Sequence, residues 1–435
     1  MDPVAAGIAG SLLLVALLFL GMPIAFLMML VGFLGISQLT SAGAALPVIP
    51  QTLYGVCSHY PFTIIPLFIV MGSLSGTAGI TRELYASFDT WFRRLPGGLG
   101  VATIAACAGF AAVSGSSVAA AAAMGRVAIP EMRRFGYAPR LATGVVAAGG
   151  ALSFLIPPSL GFVVYGMLTE QSIGKLLISG VLPGILLSVI YAAVVIGWVL
   201  IRPDLAPVRM QGASLRQKVS ALKGVWETAL VFSLVVGGIY LGFINPTEAG
   251  AVGAFALLLI VLVKRRMSRK EAVASLLEAT QVTVMVLFLV AGATVFSTFL
   301  ALSTIPAHVS GWIAGLEVSR YLVLAIIVLI YLFLGCFLDS VSMMVLTLPV
   351  VYPVVVSLNF HPIWFGVVAV LMMEAGLITP PMGLNVYTLA GIAKDVAPIE
   401  IFRGALPFLA AIILTATLLT VFPGIALYLP GLMGG

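Results

Sequence analysis

Paired prolines interrupt two long apolar stretches of this chain, Pro157-Pro158 followed by Ser159 and Pro380-Pro381 preceded by Thr379. Proline has no N–H, so a helix running into each pair leaves the carbonyls of Ser153 and Phe154, or of Gly376 and Leu377, without their usual donors. In a bilayer such carbonyls must find a donor, a water or a cation, and several of them with a hydroxyl suit a small monovalent cation. Ser159, Thr379 and Asn385 offer further oxygens. Two more apolar regions, 96–130 and 321–357, are too long for one crossing and are interrupted by Ser114-Gly115-Ser116-Ser117 and Asp339-Ser340. If each interruption is a tip that meets the proline break of its own half, Ser114, Gly115, Ser116 and Ser117 complete one cation shell, and Gly335, Asp339 and Ser340 the other. Two pseudo-symmetric cation sites are expected, with sodium as the ion. A single proline would read as an ordinary kink; the paired prolines in both stretches point to function.

The ionisable residues add to this. A carboxylate at the bilayer centre costs about 2.5–3.5 kcal/mol on insertion scales and marks an ion or proton path. Asp339 is such a residue, and it is also placed to cap the helix after its turn; the two roles are compatible. Glu374, just before the second break, has three open roles: taking a proton, serving a cation indirectly, or pairing with Arg126. Arg126 itself falls near the cytoplasmic end of its arm, where snorkelling is expected. An anionic substrate can be held by helix N-termini, which supply N–H groups and partial positive charge. The second arms begin near Ser117 and Ser340, and these with Asn385 are the substrate-binding candidates. His59, His308 and His361 fall in expected outer loops and read as solvated positions. Cys57, Cys107 and Cys336 have neither metal-ligand spacing nor the neighbours of a disulfide framework. No histidine or lysine is placed to activate the tip serines, and Asp339 lacks a second acid, so an intramembrane enzyme is not expected.

The elements that must position these residues follow from composition. Of 435 residues 61% are hydrophobic and 8% charged, against roughly a quarter charged in a soluble domain, and the mean hydropathy is +1.20. A soluble protein is excluded. The apolar runs are nearly unbroken and about twice the length of barrel strands, so the spans are helices. Ten fit, at 4–20, 24–40, 62–79, 141–168, 176–200, 225–243, 246–263, 275–300, 363–393 and 404–428, the first being read as retained and not as a cleaved leader. The net charge of +6 is concentrated in short connecting segments, which is a topology signal and not a nucleic-acid footprint. Arg82, Arg93 and Arg94 precede the first interrupted region and Arg133, Arg134 and Arg140 follow it, so both its ends face the cytoplasm. Two full spans or a re-entrant hairpin satisfy this; the polar turn and small residues favour the hairpin. Further positive segments, Arg202 to Lys223 and Lys264 to Lys270, place the second hairpin on the opposite face.

The order of elements then repeats, 1–220 against 221–435, with inverted orientation: two spans, a third span, an amphipathic stretch, a hairpin, a broken span and a closing span. Leu67 to Gly72 parallels Leu287 to Gly292, and Leu182-Pro183 parallels Leu406-Pro407. With the double prolines as register, Ser116-Ser117 falls opposite Asp339-Ser340. Thr81 to Arg94 and Ser303 to Arg320 read as interfacial amphipathic helices. Inverted halves with broken helices are the pattern of secondary transporters that bind substrate and coupling ions near the midplane.

These residues resemble the large membrane subunit of a tripartite ATP-independent periplasmic (TRAP) transporter over essentially the whole chain. The resemblance rests on Leu-Gly-Met-Pro-Ile-Ala at 20–25, Pro-Leu-Phe-Ile-Val-Met-Gly at 66–72 and Phe-Ala-Ala-Val-Ser-Gly-Ser-Ser at 110–117. Ile-Pro-Pro-Ser at 156–159, Gly-Cys-Phe-Leu-Asp at 335–339 and Gly-Leu-Ile-Thr-Pro-Pro-Met-Gly at 376–383 complete it. It implies an all-α, elevator-type, sodium-coupled importer of organic acids in the bacterial inner membrane. The implied partners are a separate small membrane (Q) subunit and a periplasmic substrate-binding protein. It implicates Gly335, Gly376, Thr379 and Met382 in one cation site, and the Ser114 to Ser117 tip with Ser153 to Ser159, Ile156 and Pro158 included, in the other. A stand-alone transporter of related fold is the alternative, and differs in needing neither partner.

Overall fold

The computed structural model describes residues 2–77, 79–207, 212–315 and 318–433. Parts of three sequence expectations lie outside the described residues: position 78 in the third span, 208–211 in the cytoplasmic segment, and 316–317 in the second amphipathic stretch. The described chain is helical throughout, with no strand among the described residues. Five helices are long and apolar enough to cross a membrane alone, seven if each of two bent pairs forms one span. The other apolar helices run 10–17 residues, because hairpin arms and broken spans divide a crossing into shorter pieces.

The first hairpin consists of Gly98–Ser114 and Ser117–Arg134, the second of Arg320–Gly335 and Ser340–Ser357. Each turn is set by a side-chain cap: the Ser116 hydroxyl accepts from the Ala119 N–H at 3.4 Å, and the Asp339 carboxylate from the Ser342 N–H at 3.1 Å. Capping stabilises a helix start by about 1 kcal/mol. The broken spans follow. Pro139–Ala151, extended by a tight turn at Leu152–Phe154, stops before Leu160–Thr169; Pro362–Leu377 stops before Leu384–Ile392. Both double prolines contain a cis peptide bond.

Around this centre, Ile24–Leu39 packs along the 34-residue helix Arg269–Leu302, and Pro246–Val263 along Ile64–Thr77. The halves interlock: Pro139–Ala151 of the first packs on Pro398–Val421 of the second. Amphipathic Ile80–Phe92 lies on the first arm of the first hairpin, burying Ile80, Leu84 and Tyr85. It is tied to the scaffold by charge. Glu227, 1% exposed, is ion-paired with both Lys264 and Arg266, and Arg266 also pairs with Glu83 of the amphipathic helix.

Three places differ from expectation. Residues 48–58, assigned to no element from sequence, form the helix Val48–Ser58 against Arg269–Leu302; it is too short and polar to read as a span. The expected span 225–243 is irregular, with a π-turn at Ser233–Gly237 between Trp226–Phe232 and Gly238–Tyr240. The closing span 404–428 is two helices, Pro398–Val421 and Gly424–Leu432, because Pro423 cannot continue the first.

Candidate cation and substrate sites

Each hairpin tip lies against the break of its own half. At the first, Gly115 turns with φ +64°, and a Cβ placed there would stand 3.0 Å from the Pro158 carbonyl oxygen. Only a residue without a side chain turns here at such close range to a backbone oxygen without strain. The Ser114 hydroxyl donates to the Ser116 carbonyl at 3.3 Å. Across the break, Ser159 donates to the Phe154 carbonyl and accepts from the Phe162 N–H. The proline effect is therefore partly answered locally, since one of the two freed carbonyls takes this hydroxyl. The Ser153 hydroxyl is fully buried and without a partner.

At the second, a Cβ on Gly376 would lie 2.7 Å from the Gly335 Cα, so tip and break touch backbone to backbone. The Met382 N–H donates to the Cys336 carbonyl at 3.2 Å and closes the contact. The Thr379 hydroxyl turns back to the Ala375 carbonyl at 2.5 Å, and its N–H reaches the Gly376 carbonyl at 3.3 Å. Asp339 caps its helix and is half-buried. The Ser340 hydroxyl is buried without a partner. Both clusters are thus carbonyl- and hydroxyl-rich, with hydroxyls at Ser153 and Ser340 that have no hydrogen-bond partner among the described residues. Such donor sets suit hard monovalent cations.

The substrate candidates separate. Ser117 and Asn385, both fully buried, bind each other: the Asn385 amide donates to the Ser117 hydroxyl at 2.9 Å and to the Ala147 carbonyl at 3.1 Å. They join the second half's post-break helix to the first hairpin, and neither lines the cavity described below. Glu374 and Arg126 do not meet. Glu374 is fully buried beside the Leu155 backbone and within electrostatic reach of the Tyr191 hydroxyl, and neither of its oxygens completes a hydrogen bond. A carboxyl buried in this way is costly in a bilayer and is a recurring feature of ion and proton pathways. Arg126, by contrast, is exposed on a cavity.

That cavity, of about 460 Å³, lies between the first hairpin, Ile64–Thr77, Ile80–Phe92 and Arg269–Leu302. Its floor is buried Phe68, Ser114 and Phe154, and its rim carries Arg82, Arg126 and Glu278. The volume falls in the range of small-molecule sites. Sequence reading treated Arg82 as a topology charge and Arg126 as a snorkelling one, and left Glu278 aside. Nothing in their local pattern marks them, because three separate elements bring them together.

This arrangement is that of a helical membrane transporter. The fold is shared with the Alcanivorax borkumensis YdaH transporter, with a TM-score of 0.62 at 15% identity, covering 89% of this chain and 90% of that one. The family is then fixed by sequence: residues 11–425 match the model of the tripartite ATP-independent periplasmic transporter DctM component, and the chain belongs to that family. It is 36% identical over 384 residues to the C4-dicarboxylate TRAP transporter large permease protein DctM of Pseudomonas aeruginosa, covering 88% of this chain and 89% of that protein. It is 32% identical to the isethionate TRAP transporter permease protein DctMQ of Oleidesulfovibrio alaskensis, covering 95% of this chain and 65% of that longer protein. The protein is therefore a multi-pass TRAP transporter large permease subunit.

Proposed function

We propose that this subunit imports an organic acid across the bacterial inner membrane, driven by sodium bound where each hairpin tip meets its break. The observation that carries the reading is that doubled contact, Gly115 on Pro158 and Gly335 on Gly376, with buried unpartnered hydroxyls at Ser153 and Ser340 beside it. The first site is drawn from Ser114, Gly115, Ser116, Ser153, Ile156, Pro158 and Ser159. The second is drawn from Gly335, Asp339, Gly376, Thr379 and Met382. Ser117 acts as a strut between the halves in this reading, and Asn385 with it. The substrate enters the cavity walled by the Ser114 to Ser116 tip, whose arginines supply the positive potential that an anion seeks.

The two hairpins and the two broken spans move as a transport unit against the remaining spans in an elevator fashion, braced by the amphipathic helices. A periplasmic binding protein delivers the substrate, and a small membrane subunit completes the scaffold. The longer DctMQ relative, of which this chain covers 65%, supports a small subunit as that second partner. The two relatives' names, one a dicarboxylate and one a sulfonate, support an organic anion without choosing among them.

The test is uptake of candidate acids into proteoliposomes holding the chain with its small subunit. Uptake is expected only with the binding protein outside and an inward sodium gradient. Uptake without the binding protein would support a stand-alone transporter instead, and uptake under a proton gradient alone would overturn sodium coupling.

A further inference from the structure

The charges around the cavity discriminate among organic acids. Arg82 and Arg126 line it, and among the described residues neither is in an ion pair or hydrogen bond. Glu278 stands on the same rim, and one of its oxygens accepts from the Ser73 hydroxyl at 3.1 Å. Ser73 lies on the helix that walls the cavity and fixes the carboxylate there. The Thr81 hydroxyl, also on the lining, is buried and without a partner. The rim thus carries two cations and one anion, a net charge of +1 by that count.

A ligand with one negative group satisfies this field. A second carboxylate on the same ligand brings a like charge toward Glu278, which is unfavourable in a partly enclosed site. A hydroxyl or ammonium at that end instead donates to Glu278, and a charge-assisted hydrogen bond of this kind is among the stronger polar contacts. The apolar floor of Phe68 and Phe154 accommodates a short carbon chain between the two ends. Resting on the reading of this cavity as the substrate site, we infer that it takes a monoanionic organic acid bearing a hydroxyl or amino donor in preference to a symmetric dicarboxylate. Arg126 and Arg82 hold the acid group, and Glu278 selects what lies at the other end.

Four acids of equal carbon count separate the possibilities: succinate, butyrate, γ-hydroxybutyrate and γ-aminobutyrate. Their binding to the full chain in nanodiscs in sodium buffer is measured by calorimetry for wild type, Arg126→Gln and Glu278→Gln, with retention of the wild-type unfolding profile as the check on folding. Wild type is expected to bind the hydroxy and amino acids most tightly and succinate more weakly. Glu278→Gln is expected to erase the amino-acid preference and to improve succinate, and Arg126→Gln to weaken all acids by roughly tenfold, the value of one charged hydrogen-bond partner. If acids bind through Arg126 but succinate is preferred, or Glu278→Gln leaves the ranking unchanged, the selectivity inference is overturned while the cavity remains the substrate site. If no acid shows Arg126-dependent binding, the cavity is not the substrate site and both readings fall.

Discussion

Every residue from Ala151 to Leu160 is buried at the first break, whereas Pro380, Pro381 and Met382 are exposed at the second. The two breaks share the same proline pair and the same cis bond, and each has its own hairpin tip against it, so the difference comes from what packs around them. Behind the first stand Glu374, Tyr191 and helices of the other half. The second is held chiefly by its own hairpin, through Gly335 and Cys336. Two copies of one local motif are therefore set in unlike surroundings. For the proposed cation sites, this burial difference predicts faster exchange at the exposed second break than at the buried first one.

The most damaging way to probe this comparison is to fill the contact between tip and break. Gly376→Ala places a Cβ against the Gly335 backbone, where overpacking costs about 1–3 kcal/mol, and the melting temperature should fall accordingly. Gly115→Ala should fall at least as far, because positive φ adds to the crowding. A Gly376→Ala protein with wild-type stability would show that the second contact is not made.

Accessibility gives a sharper and gentler contrast. Cys336 sits half-buried at the second tip, while Cys107 is fully buried in the first hairpin. In a Cys57→Ser background, a maleimide should label Cys336 and leave Cys107 untouched, and sodium should slow the Cys336 reaction. Sodium-insensitive labelling would detach that tip from ion binding.

The smallest effect lies where the segment after the second broken span meets the first hairpin. Asp395 is ion-paired with Arg133 of the first hairpin, and that hydrogen bond holds its carboxyl below the usual range. A depressed carboxylate pKa contributes stability above the unfolded value of about 3.9, lost as pH falls through the folded value. Asp395→Asn should thus lower the melting temperature slightly near neutral pH, with the gap to wild type closing below about pH 4. A gap independent of pH would mean the loss is steric.

Much of this was legible in the chain itself. Proline pairs and polar tips are local signals, and the break at Pro380-Pro381 stands where Leu384–Ile392 begins again after Leu377. The helix expected over 246–263 is Pro246–Val263, opened by an Asn245 and Glu248 capping box. Partnerships across the halves were not legible. Ser117 and Asn385 each look like a free polar residue beside a helix start, and they find each other only because the second post-break helix crosses the first hairpin. Glu374 could have met Arg126 by sequence alone; packing instead buries one and exposes the other. The cavity rim draws single residues from distant helices, and the unequal burial of the two breaks depends on neighbours that no local pattern encodes.

The central claim is that sodium binds where tips meet breaks, and thermal unfolding in nanodiscs tests it most directly. Wild type, Ser116→Ala and Thr379→Ala are compared in sodium, potassium and choline at equal ionic strength. A ligand that binds only the folded state adds about 2.7 kcal/mol at a hundredfold excess over its dissociation constant. The account predicts a sodium-specific rise in melting temperature that either substitution diminishes, with Thr379→Ala otherwise close to wild type in choline. Equal melting temperatures in sodium and potassium for the wild type, with the small subunit present, would contradict it.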